Sequence, residues 1–388
     1  MLTSRPPSAP LALVMGGGGA RAAYQVGFLR AVAQSYPDLR FPVITGVSAG
    51  AINAAHLASH PGPFAEAIED LVRLWGSLTM AQVFEIDARH LTLNALRWGL
   101  QLASGGVFGK PKIRSLVDTS PLRGFLENAL GDRDGLIPGI AENIRAGRLD
   151  ALAITTSSYS SGRSITWVQG ARPWEWSRPQ RRARSASIGI DHVMASSAIP
   201  LFFPAVAIEA EWYGDGGIRF SAPLSPALHL GAKRILAIST RFDRFAQQAD
   251  TEPDHEYPPP AQVIGSLMNS VFLDLLDQDA WRVETMNRLL RKMKDSQTGD
   301  LRVVELLTLR PSRDLGRLAK DFEKRLPGVF RFLMRGLGTR DTKSPDVLSF
   351  LLFEPGYLRL LMEIGEQDGK ARMNDVSALV QKPLSSDL

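Results

Sequence analysis

The sequence predicts an α/β fold with additional helices in its C-terminal part. Two apolar runs of strand length, Leu11 to Met15 and Phe41 to Thr45, each lead into a glycine-containing segment that opens a helical pattern. Strand-like sequence returns at Asp150 to Ser157, Ser164 to Val168 and Arg234 to Thr240. Because strands that alternate with helices add to one sheet covered by helices, an α/β core is expected.

The composition is that of a folded protein with one large domain or two. The chain has 388 residues, of which 44% are hydrophobic, enough for a substantial core. It contains no cysteine, so disulfides, thiolate catalysis and cysteine-based zinc sites are excluded. Residues 1–10 lack a long apolar core, and no run approaches the ~20 apolar residues of a membrane span. A cytoplasmic protein without a signal peptide or membrane anchor is therefore expected.

The most informative motif is the pentapeptide Gly46-Val47-Ser48-Ala49-Gly50. It lies between a strand-like run and a helical pattern of small residues, where a sharp turn usually displays a nucleophilic serine. The glycines on both sides of Ser48 leave room for this turn. A short G-x-S-x-G sequence can also be an ordinary glycine turn, so its meaning depends on the segments around it.

A glycine segment, Gly16-Gly17-Gly18-Gly19-Ala20-Arg21, links the first predicted strand to a helical pattern from Ala22 to Gln34. Backbone N–H groups of such a loop converge on one point, and the helix dipole adds to their field, which suits an oxyanion. The spacing Gly17-x-Gly19-x-x-Ala22 also satisfies the relaxed dinucleotide-binding fingerprint. That fingerprint needs an acidic residue after the second strand, whereas Asp38 precedes that strand.

A third segment, Tyr213-Gly214-Asp215-Gly216-Gly217, follows the strand-like run from Phe202 to Ile208. Alone, an aspartate followed by two glycines is most often a hairpin turn. A glycine loop, a serine motif and a late Asp-Gly-Gly in this chain order are, however, the parts of a Ser-Asp dyad, in which the carboxylate takes the serine proton directly.

The three segments resemble the patatin-like phospholipases, whose pattern joins a Gly-Gly-Gly-x-Arg loop, a G-x-S-x-G motif and an Asp-Gly-Gly or Asp-Gly-Ala segment. The stretch Ala195 to Pro204 also resembles the segment that precedes the aspartate in this family, and Ser349 to Tyr357 resembles bacterial members. The resemblance covers at least residues 11–240. One departure is Ala22, where the family usually has glycine.

The resemblance implies a three-layer α/β/α core with a central, mostly parallel sheet. It implies a lipid acyl hydrolase that forms an acyl-enzyme with phospholipids or lysophospholipids and needs no metal or other cofactor. The site residues that it implies are the nucleophile Ser48, the base Asp215, the oxyanion-hole residues Gly17, Gly18, Gly19 and Arg21, and the motif glycines Gly46, Gly50, Gly216 and Gly217.

Other functions stay open at this point. In a Ser-His-Asp hydrolase the histidine follows the acid, but His229 lies in a helix-like stretch and His255 in an acidic, proline-rich segment. An acyl acceptor other than water would make the protein a transacylase. A nucleotide-binding protein that uses the Gly17-x-Gly19 loop is the non-enzymatic alternative.

The predicted organisation has four parts: an N-terminal tail (1–10), a catalytic core (11–245), an acidic, proline-rich loop (246–260) and a mainly helical part (261–388) packed on the core. Ala261 to Lys294 has the pattern of a long helix, continuous or broken. The helical segment Leu91 to Ala103 is expected to pack on the core rather than to form a lid.

Positive charge suggests a transient contact with membranes. The net charge is +5, and five arginines between Arg172 and Arg184 are interleaved with Trp174 and Trp176. This mixture suits anionic lipid headgroups, although a solvated loop explains it equally well. Nucleic acid is not an expected partner because no binding motif is present. Leu326 to Leu337 is amphipathic, with core or dimer packing favoured over a membrane-surface helix; the oligomeric state is not predicted.

Overall fold

The computed structural model describes residues 10–85, 104, 115–242, 257–293, 298–299, 301–339, 342 and 345–381. Within these ranges, ten strands form one sheet. The strands are β1 (Leu11–Met15), β2 (Val43–Val47), β3 (Ala151–Ser158), β4 (Ser164–Gly170), β5 (Trp176–Arg178), β6 (Arg181–Ser185), β7 (Val206–Ile208), β8 (Glu211–Asp215), β9 (Arg234–Ile238) and β10 (Glu305–Leu309).

The α-helices of the described ranges surround this sheet. They are α1 (Ala23–Ser35), α2 (Ala49–Ser59), α3 (Phe64–Ser77), α4 (Met80–Val83), α5 (Ser120–Leu130), α6 (Pro138–Arg145), α7 (Ile190–Ser196), α8 (Ser225–His229), α9 (Pro260–Phe272), α10 (Asp274–Leu290), α11 (Leu315–Leu318), α12 (Gly328–Gly336), α13 (Asp346–Leu351), α14 (Pro355–Ala371) and α15 (Met373–Gln381). None of these helices combines the length and apolarity needed to cross a membrane.

The strand order explains how distant parts of the chain meet. The order is β10-β9-β1-β2-β3-β4-β6-β5, and the first five of these strands run parallel. β4 is antiparallel to β3, and β8 forms a hairpin with β7. β2 pairs with β3 as far as Thr155, whereas β8 pairs antiparallel with β3 from Thr156 onwards. The carboxyl ends of β2 and β8 therefore meet beside β3.

Both faces of the sheet are covered by helices. In β1, Leu11, Leu13 and Met15 belong to one hydrophobic core, whereas Ala12 and Val14 belong to a second core on the other face. Side chains alternate along a strand, so one continuous apolar run serves two layers. Helices α1, α2, α3 and α14 contribute to the first core, and α8 and α10 to the second. The predicted three-layer α/β/α core with a mostly parallel sheet is confirmed.

Several element boundaries differ from the sequence-based expectations. The pattern from Ala261 to Lys294 is interrupted at Leu273, which separates α9 from α10. Only the last three residues of Phe202 to Ile208 form a strand, since the preceding Leu201 has a φ of 68° and lies in a turn. The segment Leu91 to Ala103 and most of the loop 246–260 lie outside the described residues.

Candidate active site

The meeting of β2 and β8 places Ser48 next to Asp215. Ser48 directly follows β2, and Asp215 is the last residue of β8. The Ser48 hydroxyl donates a hydrogen bond to Asp215 Oδ2 at 2.6 Å, and both side chains are buried. This distance leaves no room for an imidazole between the two groups, so the contact is that of a direct serine-carboxylate pair.

The backbone of Ser48 is strained. Its φ of 55° and ψ of −135° lie in a region that costs a non-glycine residue on the order of 1–3 kcal/mol. Two hydroxyls from the end of α7 hold this turn. Ser196 Oγ accepts from the Ser48 N–H at 3.0 Å and donates to the Thr155 carbonyl at 2.7 Å, while Ser197 Oγ donates to the Ser48 carbonyl at 3.0 Å. The family resemblance pointed to the stretch Ala195 to Pro204, but no role for Ser196 or Ser197 was predicted from the sequence.

Ser196→Ala is expected to destabilise the protein by about 1–3 kcal/mol, because it leaves the buried Ser48 N–H without its acceptor. Denaturant titration measures the change in the free energy of unfolding. Ser197→Ala is the matched control, since it removes only a donor to a carbonyl and should cost less. A Ser196→Ala protein as stable as the wild type would contradict the role of this hydroxyl in the turn.

Asp215 is a buried carboxylate with an altered affinity for protons. Its Oδ1 accepts from the Gly217 N–H at 2.8 Å, and its Oδ2 accepts from Ser48. Burial raises the pKa of Asp215 to about 7, even though both hydrogen bonds act to lower it. A base whose pKa lies near neutrality is well suited to take up and return a proton at neutral pH.

The glycine loop lies beside the Ser48 hydroxyl. A Cβ atom on Gly17 would be 3.0 Å from the Ser48 Cβ, and Gly18 and Gly19 have φ values of 147° and 56°, which L side chains rarely adopt. The Gly17 carbonyl accepts from Thr240 Oγ1 at 2.8 Å. Among the described residues, the N–H groups of these three glycines have no hydrogen-bond partner.

Arg21 connects the loop to the C-terminal part of the chain. Its buried guanidinium donates to Asp346 Oδ1 at 2.6 Å and to Ser349 Oγ at 2.7 Å, and it lies 4.6 Å from the centre of the Phe350 ring. A Cβ atom on Gly19 would lie only 2.1 Å from the Phe350 carbonyl oxygen. Helix α13 thus packs directly against the loop, and the described hydrogen bonds of the Arg21 side chain are with this helix.

A buried network of side-chain amides also supports the loop, and only a weak sequence pattern points to it. Gln25 donates to the Gly16 carbonyl at 2.8 Å, and Asn53 donates to the Gln25 side-chain oxygen at 3.1 Å. The Trp75 indole then donates to Asn53 at 2.8 Å. The sequence pattern is the presence of two amide side chains, Gln25 and Asn53, in otherwise apolar helices. The network ties α1, α2 and α3 together behind the site.

An apolar cavity opens from Ser48 between α2, α3 and α5. Apart from Ser48, Ser197 and His56, its described lining consists of apolar side chains and Gly19. Such a cavity suits the hydrocarbon portion of a ligand, while the polar reacting group lies at Ser48.

Two histidines, His229 and His255, follow Asp215 in the chain, where a Ser-His-Asp triad would have its histidine. His229 hydrogen-bonds to Ser225 and stacks on Trp176 with ring centres 4.8 Å apart, whereas His255 lies outside the described residues. Asp38 precedes β2 and so lies at the opposite end of that strand from Ser48. No group of three or more potential metal-ligating side chains occurs in the part of the chain that the structure describes.

Several solved structures are similar to this chain at low identity. VipD from Legionella pneumophila is 14% identical, with 78% of this chain and 61% of that chain covered and a TM-score of 0.34. Human GIVD cytosolic phospholipase A2 in complex with methyl gamma-linolenyl fluorophosphonate is 12% identical, with 96% and 58% covered and a TM-score of 0.45. ExoU in its complex with SpcU from Pseudomonas aeruginosa is 13% identical, with 96% and 52% covered and a TM-score of 0.31.

The chain thus spans about three fifths or less of the length of these solved chains. A comparison with curated proteins gives no match. The family model of the patatin-like phospholipases matches residues 13–228, which is more than half of the chain and includes the glycine loop, Ser48 and Asp215. The chain therefore belongs to the patatin-like phospholipase family.

Proposed function

We propose that this protein is a lipid acyl hydrolase of the phospholipase A or lysophospholipase type, which cleaves fatty acyl esters through a Ser48-Asp215 dyad and an acyl-enzyme. Family membership supports a lipid acyl hydrolase. The observation that carries the finer proposal is the 2.6 Å hydrogen bond from Ser48 Oγ to Asp215 Oδ2 at the head of an apolar cavity. Phospholipids and lysophospholipids are the proposed substrates.

Acylation begins when Asp215 Oδ2 takes the proton of the Ser48 hydroxyl as Oγ attacks the ester carbonyl carbon. The carbonyl oxygen becomes an oxyanion, which the N–H groups of Gly17, Gly18 and Gly19 stabilise. One such donor typically contributes about 3–4 kcal/mol to lowering the barrier. Protonated Asp215 then gives its proton to the oxygen of the departing alcohol. The acyl group stays bound to Ser48 Oγ.

Deacylation reverses these roles with water. Asp215 accepts a proton from a water molecule that attacks the acyl carbon, and it returns this proton to Ser48 Oγ as the fatty acid leaves. The N-terminus of the eleven-residue helix α2 lies at Ser48, so its dipole stabilises negative charge on the oxygen atoms at this point. An alcohol in place of water would give a transacylase product.

The C-terminal part belongs to the proposed catalytic unit, together with the core of residues 11–245. The buried ion pair between Arg21 and Asp346 links the glycine loop to α13. We assign Arg21 the role of holding the loop, and thus of reinforcing the oxyanion hole indirectly. Truncation before α13 would remove this support.

A peripheral contact with an anionic membrane surface is also part of the proposal. Arg172 lies over the Trp174 ring at 4.1 Å. Arg178 is exposed on the edge strand β5, and Arg182 is exposed on the neighbouring strand β6. Phe332 on α12 is 76% exposed. Basic and aromatic side chains of this kind suit the headgroup layer.

The test of the proposed function is fatty-acid release from mixed phospholipid vesicles, with both products identified by mass spectrometry. The expected result is a free fatty acid together with a lysolipid or a deacylated lipid, and the remaining lysolipid identifies the ester position. A fluorophosphonate probe should label Ser48, located by peptide mass spectrometry. NAD binding without release or labelling would instead favour the nucleotide-binding alternative.

Ala129→Trp tests whether the cavity holds the acyl chain. Ala129 lines the cavity from α5, so an indole there should fill space that a long chain needs. We expect the ratio of palmitoyl to butyryl ester turnover to fall by about tenfold or more, since even one misplaced methylene is worth about 10-fold or more. Asn128→Trp, on the exposed face of the same helix, is the matched control. An unchanged ratio in Ala129→Trp would argue against this cavity as the acyl site.

A further inference from the structure

Besides Ser197, which holds the Ser48 turn, the described lining of the apolar cavity contains one polar side chain that the proposed reaction does not use, His56. His56 lines the cavity at 6% exposure, and its Nε2 has no hydrogen-bond partner among the described residues. A buried polar atom left unpaired costs about 1–3 kcal/mol. A leucine or phenylalanine at this position would avoid this cost. The imidazole is therefore explained if a bound ligand supplies the hydrogen-bond partner of Nε2.

The His56 ring is neutral and offers Nε2 as a hydrogen-bond acceptor. Burial, assisted by the neighbouring His60, lowers the pKa of His56 to about 4. A hydrogen bond to the backbone of Ala67 raises this pKa, as expected when the ring donates its proton to a carbonyl. Since a neutral imidazole has one donor and one acceptor nitrogen, the unpaired Nε2 is the acceptor. Its complement is an O–H or N–H donor.

The spacing along α2 indicates where this donor lies on a bound chain. Ser48, Ile52 and His56 follow at intervals of four residues, and all three line the cavity. Eight residues of α-helix span about 12 Å, and helical side chains lean towards the N-terminus, which places the ring roughly 8–12 Å from Ser48. With carbon-carbon bonds of about 1.5 Å, an extended chain advances roughly 1.3 Å per carbon.

We propose that the cavity selects fatty acyl chains with a hydroxyl group near mid-chain, at about the seventh to tenth carbon from the ester carbonyl, where the O–H donates to His56 Nε2. This inference rests on the proposed function of Ser48 and adds the substrate class. An unmodified chain leaves Nε2 unpaired. A keto group does not satisfy it either, because a carbonyl oxygen and Nε2 are both acceptors.

A trapped water is a poorer partner for this nitrogen. An ordered buried water typically makes about three hydrogen bonds. Besides His56, the lining includes apolar side chains of helix α3 such as Leu71, Leu74 and Trp75. A hydroxyl carried on the acyl chain needs only one partner and is delivered by the chain itself.

The experiment is an internal competition in phosphatidylcholine vesicles. Equal amounts of distearoyl lipid and of lipid with two 9-hydroxystearoyl chains are mixed, and the two released acids are measured by mass spectrometry. Wild type should release the 9-hydroxy acid about tenfold faster. Lipids with 16-hydroxystearoyl or 9-ketostearoyl chains, tested in the same way, should show no such preference. The ratio is independent of the overall rate, so differences between enzyme preparations cancel.

Substitutions of His56 test whether the imidazole causes this preference. His56→Phe should abolish the preference, whereas His56→Gln should restore part of it, because the amide oxygen is an acceptor. Asn128→Ala, on the exposed face of α5 and outside the cavity lining, is the matched control and should keep the wild-type ratio. If the His56 variants fail to fold, the comparison of the four lipids with wild type decides by itself.

The outcomes separate this inference from the proposed function. Equal release of the 9-hydroxy acid and stearic acid would overturn the inference while leaving the acyl hydrolase in place. A similar preference for the 16-hydroxy or the 9-keto chain would also overturn it, because the cause would then be bilayer disorder. A preference that persists in folded His56→Phe would exclude the imidazole. Release of no acid from any lipid, by a protein that does not react with fluorophosphonate, would overturn the proposed function itself.

Discussion

Ser48→Ala is expected to reduce fatty-acid release by on the order of 10⁴- to 10⁶-fold, the loss typical of a serine hydrolase without its nucleophile. The carboxylate of Asp215 and the N–H groups of the glycine loop stay in place, but no oxygen atom can form the acyl-enzyme. The measurement is mass spectrometry of acids released from phospholipid vesicles. The thermal unfolding midpoint should fall by no more than about a few degrees. Alanine and serine bear a similar cost in the strained turn at φ 55°, so the loss is that of one hydrogen bond to the buried Asp215.

Ser59→Ala is the matched control for this loss. Ser59 lies at the other end of α2, where its hydroxyl donates to the His56 carbonyl at 3.2 Å. Its replacement should leave fatty-acid release near the wild-type level. Release by Ser48→Ala above about one hundredth of the wild-type rate would be incompatible with Ser48 as the nucleophile.

Asp215→Asn is expected to abolish turnover and to stabilise the protein at the same time. The amide keeps the size of the carboxylate, with its oxygen able to accept from Gly217 N–H and its nitrogen able to donate to Ser48 Oγ, but it cannot take the serine proton. In wild type, activity should rise with pH through about 7, because burial raises the pKa of Asp215 to about 7 and only the ionised form is a base.

The gain in stability follows from the same pKa. Between about pH 4 and pH 7 the folded protein keeps a proton on Asp215 that the unfolded chain has released, so the folded state loses stability as the pH rises through this window. The full shift corresponds to on the order of 4 kcal/mol, since one pKa unit is about 1.4 kcal/mol. Asp215→Asn lacks this penalty. Its advantage over wild type should therefore be absent near pH 4 and largest above pH 7.

Denaturant unfolding of both proteins at several pH values measures this difference. The matched control is Asp279→Asn, which replaces another buried carboxylate whose pKa is raised by burial and whose Oδ2 accepts from the Leu224 N–H at 2.9 Å. It should change stability in the same direction but retain fatty-acid release. Substantial turnover by Asp215→Asn would remove Asp215 from the role of base.

The effects expected for Ser48→Ala and Asp215→Asn both follow from the burial of the site. Ser48 is held in a strained turn and Asp215 carries a desolvated carboxylate, and both features lower the stability of the fold. Surrounding contacts offset these costs. They are the hydrogen bonds of the Ser196 and Ser197 hydroxyls and the packing of helix α13 against the glycine loop. The geometry of the proposed site therefore depends on parts of the chain far from the motifs.

Local sequence was sufficient for the central strands. Leu11–Met15 is apolar throughout and is followed by glycines, so its extent was predicted without error. The break at Leu273 was not located, because no proline or glycine marks it and both halves keep a helical pattern. By contrast, Pro204 within the run from Phe202 to Ile208 is a local sign against a strand there, and β7 begins only at Val206.

The site shows the same division. Motif spacing led to Ser48, Asp215 and the glycine loop, and their roles stay predictions. It gave no means of foreseeing Ser196 as the acceptor of the Ser48 N–H or Asp346 as the partner of Arg21, because these contacts join residues 148 and 325 positions apart. His56 also looked like any histidine within an apolar helix.

The sequence by itself determined the α/β class, the family and the residue types able to perform acyl transfer, because apolar periodicity and glycine-bounded motifs are local properties. Only the tertiary structure decided that β8 pairs with the end of β3, which brings Asp215 within 2.6 Å of Ser48. It also decided that His56 faces an apolar cavity with Nε2 unpaired among the described residues. Burial and long-range pairing depend on how separate elements pack, and this packing sets the pKa of Asp215 and the shape of the cavity.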